Sequence, residues 1–283
     1  MVENIFKEMK YQVQLIKDVG QELLEGPVYD KSENLLYFVS ILEYRVYRYN
    51  PLIKELVYIQ LTSPTSCVFL SPKYGIVAAT TLGFYTLDFA KFTAKLLFSI
   101  NIASSMRFND GILDAKGRFL IGTMGYPEII NNAGSVFSYS EGNLKTLISD
   151  TTISNGIAFT KDSSKMYFID TPTRSVKAYN YDLESGNCEY IEEIIHFKDE
   201  GVPDGMDIDE LGNLWIAEWG GYCVSVWNPA NGDNIGKIQI PSENVTSICF
   251  DGLCNLYVTT AKSYNEEYKQ GGSLYYVKLE KDE

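Results

Sequence analysis

Six times in this chain, at intervals of 40 to 48 residues, a polar or small-residue turn is followed by a short apolar strand and then a second, aromatic strand. The strand cores are Leu36-Tyr37-Phe38, Ile76-Val77-Ala78, Phe119-Leu120-Ile121, Met166-Tyr167-Phe168, Leu214-Trp215-Ile216 and Leu256-Tyr257-Val258. A strand-built repeat of this period points to a β-propeller, in which each repeat supplies one four-stranded blade. The count predicts an all-β, six-bladed β-propeller. No Pro/Ser-rich linker, low-complexity tract or charge block interrupts the repeats. Residues 1–283 are therefore expected to form a single domain, a length that all-β folds reach as one unit.

The local patterns agree with this reading. Residues 33–50, 165–181 and 213–228 each read as two strands of alternating apolar residues joined by a turn. Before the strands stand Asp114-Ala115-Lys116-Gly117, Asp162-Ser163-Ser164, Asp209-Glu210-Leu211-Gly212 and Asp251-Gly252. There Asp can bond to its own backbone and Gly can take a positive φ, so these Asp residues are read as turn formers. A propeller must close its ring, and Tyr11 to Val19 alternates as a half-buried strand while Gly272 to Leu279 ends the last repeat without an outer partner. The two are expected to share a blade. A short helical cap over the first ten residues is the alternative use of the N-terminus.

The period also aligns chemistry. Counting back 11 or 12 residues from the centre of each strand core reaches Glu25, Ser66, Asn109, Asn155, Asp204 and Thr246, all oxygen-bearing. Equivalent positions of a radial repeat lie on one ring around the channel, so these residues are expected to meet near the axis. Four stand in similar phrases: Glu25-Gly26-Pro27-Val28, Asn109-Asp110-Gly111-Ile112, Asn155-Gly156-Ile157-Ala158 and Asp204-Gly205-Met206-Asp207. Glycine next to or near the ring residue is read as permitting a sharp bend at the channel mouth. Two carboxylates and two carboxamides make a hard, oxygen-only pocket suited to calcium, magnesium or manganese; zinc or copper more often recruits imidazole or thiolate. Asn-Gly and Asp-Gly are also ordinary turn sequences, so it is the recurrence in register that carries the site reading.

Composition narrows the remaining functions. With 24 basic and 37 acidic residues the formal charge is −13, which argues against nucleic acid, held by clustered Lys and Arg. No apolar run is long enough for a membrane span, and Glu3, Lys7, Glu8 and Lys10 leave no apolar core for a secretory signal. Five cysteines without paired spacing fit reduced thiols and a cytoplasmic setting; Cys249, between Ile248 and Phe250, reads as a small core residue. The only histidine, His196, lies away from the ring positions, and no GxSxG phrase is present. Serine nucleophile chemistry is disfavoured.

The most specific phrases are LLEGPVYD (residues 23–30), RFNDGILDAKGRFLIGTM (107–124), ISNGIAFTKDSSKMYFIDT (153–171) and VPDGMDIDELGNLWIAEWGG (202–221), with NLYVTTA at 255–261. Through them nearly the whole chain resembles the regucalcin and gluconolactonase group of sugar-lactone hydrolases. The resemblance implies a six-bladed propeller with one divalent metal in the channel, calcium first, with magnesium, manganese or zinc as alternatives. It implies that Glu25, Asn155 and Asp204 are metal ligands and that Arg107 and Asn109 contact a small sugar lactone. A further substrate contact in the group is a Glu after the GTM phrase; here the stretch reads Gly125-Tyr126-Pro127-Glu128, so Glu128 is a shifted candidate. The expected reaction is hydrolysis of an aldonolactone such as gluconolactone to its acid, with Asp204 as general base. A metal-dependent phosphotriesterase-like hydrolase and a non-enzymatic calcium-binding or interaction propeller are the alternatives.

Overall fold

In the computed structural model, which describes residues 10–263 and 271–279, the chain folds almost wholly into antiparallel strands. A helical cap before the first strand falls outside the described residues. The N-terminal strand is β1 (Tyr11–Asp18). Four sheets of four strands follow the chain order. The first holds β2 (Leu24–Asp30), β3 (Leu35–Ser40), β4 (Arg45–Asn50) and β5 (Glu55–Gln60); the second holds β6 (Thr65–Ser71), β7 (Gly75–Thr80), β8 (Gly83–Asp88) and β9 (Thr93–Ser99). The third holds β10 (Met106–Leu113), β11 (Phe119–Gly125), β12 (Gly134–Ser140) and β13 (Asn143–Thr151); the fourth holds β14 (Ser154–Phe159), β15 (Lys165–Asp170), β16 (Ser175–Asp182) and β17 (Asn187–His196).

The remaining strands are β18 (Val202–Ile208), β19 (Leu214–Trp219), β20 (Cys223–Asn228), β21 (Asp233–Gln239), β22 (Asn244–Phe250), β23 (Leu256–Ala261) and β24 (Ser273–Leu279). With β1 they make one eight-stranded sheet, where the repeat count predicted two separate blades. The cause is local. A single residue pair, Trp219 with Asn244, joins the run β18 to β21 to the run containing β22, β23, β24 and β1. As the alternation of Tyr11 to Val19 suggested, β1 pairs antiparallel with β24, from Tyr11 opposite Leu279 to Asp18 opposite Ser273.

The fold is an all-β propeller. Its innermost strands contact one another in the order β2, β6, β10, β14, β18, β22, and β22 returns to β2. Sheets packed on both faces explain why the second strands read as apolar runs rather than alternating ones. In β3, Leu36 and Phe38 pack with Cys249 and Tyr257 on one side, while Tyr37 and Val39 pack with Val68 and Ala78 on the other. Outer strands such as β13 and β17 are largely exposed, as one-sided packing requires.

The aspartates before the second strands close turns as expected. Asp209 Oδ1 accepts the Leu211 and Asn213 amides at 2.9 and 2.8 Å, and Asp251 Oδ1 accepts those of Leu253 and Asn255 at 2.7 and 3.1 Å. Their other carboxylate oxygens take Trp215 Nε1 at 3.0 Å and the Tyr276 hydroxyl at 2.7 Å, tying each turn to its sheet.

Candidate functional site

Every inner strand breaks register at its ring residue. The shifts fall between Glu25 and Val28, Thr65 and Cys67, Phe108 and Gly111, Ser154 and Ile157, Pro203 and Met206, and Val245 and Ser247. A bulge leaves residues out of the ladder and re-aims their side chains. This is how a β-strand, whose side chains would otherwise alternate strictly, presents Glu25, Asn109, Asn155 and Asp204 together; all four are buried. The glycines serve a different purpose from the bend expected. Gly26 has a positive φ of 51°, but Gly111, Gly156 and Gly205 do not. A Cβ on Gly156 would lie 2.8 Å from the Asp204 carbonyl, and one on Gly205 2.2 Å from Ser247 Oγ. Absence of a side chain here lets adjacent inner strands approach closely.

A directed hydrogen-bond chain crosses three inner strands. Arg107 Nη1 donates to Asn109 Oδ1 at 2.7 Å, and Asn109 Nδ2 donates to Asn155 Oδ1 at 2.7 Å and to the Ser154 carbonyl at 2.9 Å. Asn155 Nδ2 donates to Thr171 Oγ1 at 2.7 Å, and that hydroxyl donates to the Pro203 carbonyl at 2.8 Å. Because a guanidinium only donates and the two carbonyls only accept, both amide orientations follow. Asn155 therefore keeps its oxygen on the Asn109 side. Arg107 Nε is buried without a partner among the described residues, the kind of donor that a bound ligand satisfies.

Three carboxylates share the space around this chain. Burial, then the charge of Asp110, pushes Glu25 from 4.5 up to about 8, opposed by the Gly26 amide and Arg107. Burial, then Glu25 and Asp110, raises Asp204 well above the usual carboxylate range, again opposed by Arg107. Burial lifts Asp110 to about 6 against the Gly111 amide. Burial also lowers Arg107 to about 10, with Glu25 and Asp204 among the groups that sustain its charge. Asp110 has no role in the sequence reading; it flanks a ring position, and only the bulge between Phe108 and Gly111 brings it inward.

Such a site favours a hard cation. Mutually repelling carboxylates, of which Glu25 and Asp204 face the one guanidinium, lack positive charge, and Asn155 presents a fixed oxygen; a divalent ion with oxygen ligands would supply what is missing. Among the described residues no group of three or more His, Cys, Asp or Glu is arranged to hold a metal. The set named from the sequence, Glu25 and Asp204 with the carboxamide of Asn155, has a different composition.

The other sequence candidates lie as follows. Ser66 and Thr246, the weak members of the ring, join neighbouring sheets: Ser66 Oγ donates to the Phe108 carbonyl, and Thr246 Oγ1 to the Leu24 carbonyl at 2.6 Å. Glu128 is exposed on the loop after β11. Tyr126, two residues earlier, stands by the site instead, with its ring centre 6.0 Å from the Arg107 guanidinium carbon. His196 ends the outer strand β17, its Nδ1 3.7 Å from Glu193. The five cysteines are free thiols; Cys67, Cys223 and Cys249 are buried, while Cys254 is exposed in a turn. No helix among the described residues is long and apolar enough to cross a membrane.

The model of the SMP-30/Gluconolactonase/LRE-like region matches residues 23–262. An uncharacterised protein of Sulfolobus acidocaldarius is 35% identical over 260 residues, 90% of this chain and 91% of that protein. Regucalcin of Sus scrofa is 33% identical over 247 residues, 84% of this chain and 83% of its own. The crystal structure of a calcium-binding protein, regucalcin, from Agrobacterium tumefaciens superposes with a TM-score of 0.88 at 23% identity, covering 95% of this chain and 94% of that one.

Proposed function

Since the chain belongs to the SMP-30/gluconolactonase/LRE-like family, we propose that it is a metal-dependent lactonase acting on a sugar lactone such as gluconolactone. We read its eight-stranded sheet as two blades, making a six-bladed propeller around one channel. The observation that carries the proposal is the fixed Arg107–Asn109–Asn155 chain, together with the buried carboxylates of Glu25 and Asp204 at the register shifts of their inner strands.

In this reading Glu25, Asn155 and Asp204 would hold one divalent ion, calcium first, which would supply Lewis-acid chemistry toward the ester carbonyl. Arg107 and Asn109 bind substrate oxygens and orient the ring. Asp204 accepts a proton from the attacking water, which requires a carboxylate rather than an amide. Water adds to the carbonyl carbon, the ring C–O bond breaks, and the ring oxygen takes back the proton held by Asp204 to leave as a hydroxyl of the aldonic acid. Thr171 acts through Asn155, keeping its amide from rotating.

The test is turnover of gluconolactone, xylonolactone and paraoxon by one purified sample supplied with calcium, magnesium, manganese or zinc. Hydrolysis of a lactone above background is expected with at least one ion. Lactone rates at background with every ion would sink the proposal, and turnover of paraoxon alone would select a phosphotriesterase.

A further inference from the structure

The ring residues lie near one end of the sheets: Glu25 pairs with Val39, Met106 with Gly125 and Pro203 with Glu218, close to the ends of the second strands. The loops from second to third strands therefore surround the site. Those of the first three sheets carry apolar side chains to the surface: Leu42 is 38% exposed, Leu82 51%, Ile129 57% and Ile130 40%. Tyr126 opens the loop that carries Ile129 and Ile130. Its phenol is near enough to Tyr44 to raise the Tyr44 pKa, after burial, through charge and hydrogen bonding. Its ring borders the Arg107 guanidinium. The loop that carries it is folded on itself, because a Cβ at Gly125 would meet the Glu128 carbonyl at 2.4 Å and the Ile130 amide at 2.6 Å.

On the side of the first three sheets the site thus has a polar, charged floor and an aromatic, apolar rim, whereas the equivalent loop of the fourth sheet carries Thr171, Thr173 and Arg174. From this we infer that Tyr126 determines specificity, its ring covering the exocyclic end of the substrate, and that the preferred lactone carries a methyl or longer alkyl group there instead of a hydroxymethyl. This rests on the lactonase reading and narrows it. The polar floor takes the ester and ring oxygens. With the Tyr126 phenol engaged by Tyr44, its ring and the apolar loops offer few partners to a further hydroxyl but bury an alkyl group favourably.

Calorimetric binding of two non-hydrolysable lactams to the calcium-loaded protein tests the inference: gluconolactam and its terminal-deoxy analogue, in which methyl replaces hydroxymethyl. The deoxy lactam should bind about tenfold more tightly. Tyr126→Ala should bring the two within about twofold of each other, whereas Tyr126→Phe, which keeps the ring, should retain the preference. Circular dichroism checks that both variants fold. Equal or reversed affinities in the parent protein, no binding of either lactam, or a preference surviving Tyr126→Ala would overturn the inference. Hydrolysis of the parent lactones is measured alongside. If the lactam preference holds while neither lactone is hydrolysed, the lactonase reading falls and the specificity of the pocket stands.

Discussion

Removing divalent cations should make this protein progressively less stable as pH rises from about 5 to about 8. In the folded chain Glu25 is pushed from 4.5 to about 8 and Asp110 from 3.8 to about 6, while Asp204 is raised well above its ordinary value. In the unfolded chain all three ionise near about 4. Below that pH both states hold their protons and no penalty exists. Between the unfolded and folded values the unfolded chain has released protons that the folded one retains, so raising the pH favours unfolding. Above about 8 the penalty from Glu25 is complete. At about 1.4 kcal/mol per pH unit, the displacement of Glu25 amounts to on the order of 5 kcal/mol, comparable with the net stability of many domains. Urea midpoints from tryptophan fluorescence, taken across this range in chelator and again in calcium, measure it. The midpoint should fall with pH in chelator, and calcium should flatten the fall by favouring the ionised carboxylates. A midpoint independent of pH in chelator, or an equal slope with calcium present, would refute the buried acidic cluster.

Asp204→Asn should lower lactone hydrolysis by about 100-fold or more while circular dichroism stays unchanged; a rate near that of the parent would remove Asp204 from the chemistry. Thr171→Val deletes the bond that fixes Asn155, so calcium affinity by calorimetry should fall roughly 10- to 100-fold, with a stability loss of about 1 to 3 kcal/mol. Gly205→Ala forces a Cβ against Ser247 and should cost about 1 to 3 kcal/mol in chemical denaturation; an unchanged midpoint would show that β18 and β22 separate without strain.

Much of the site was legible because the propeller converts sequence period into angular position. Counting back from each strand core reached Glu25, Asn109, Asn155 and Asp204, and the structure finds all four buried at register shifts of the inner strands. The pairing of β1 with β24 was legible because the ring must close: Tyr11 to Val19 alternates as a strand, and the last repeat ended without an outer partner. What the period conceals is whatever depends on contacts between sheets. Asp110 follows a ring position and acquires its place only from the bulge in β10. Ser66 and Thr246 fall on the same ring count, yet their hydroxyls bond carbonyls of the neighbouring sheets. At the rim, Glu128 has the expected chemistry, but the path of its loop sets Tyr126 beside Arg107. Nor does the repeat foresee that one pair, Trp219 with Asn244, merges two runs of four strands into a single sheet.

The central claim is that one divalent cation, held by Glu25, Asn155 and Asp204, makes the channel a lactonase. Lactone hydrolysis by chelator-treated protein, followed as calcium is returned, tests it most directly. The rate should start at background and rise to saturation at one equivalent of tightly bound ion. A rate indifferent to chelation and calcium, or one that stays at background throughout, would contradict the account.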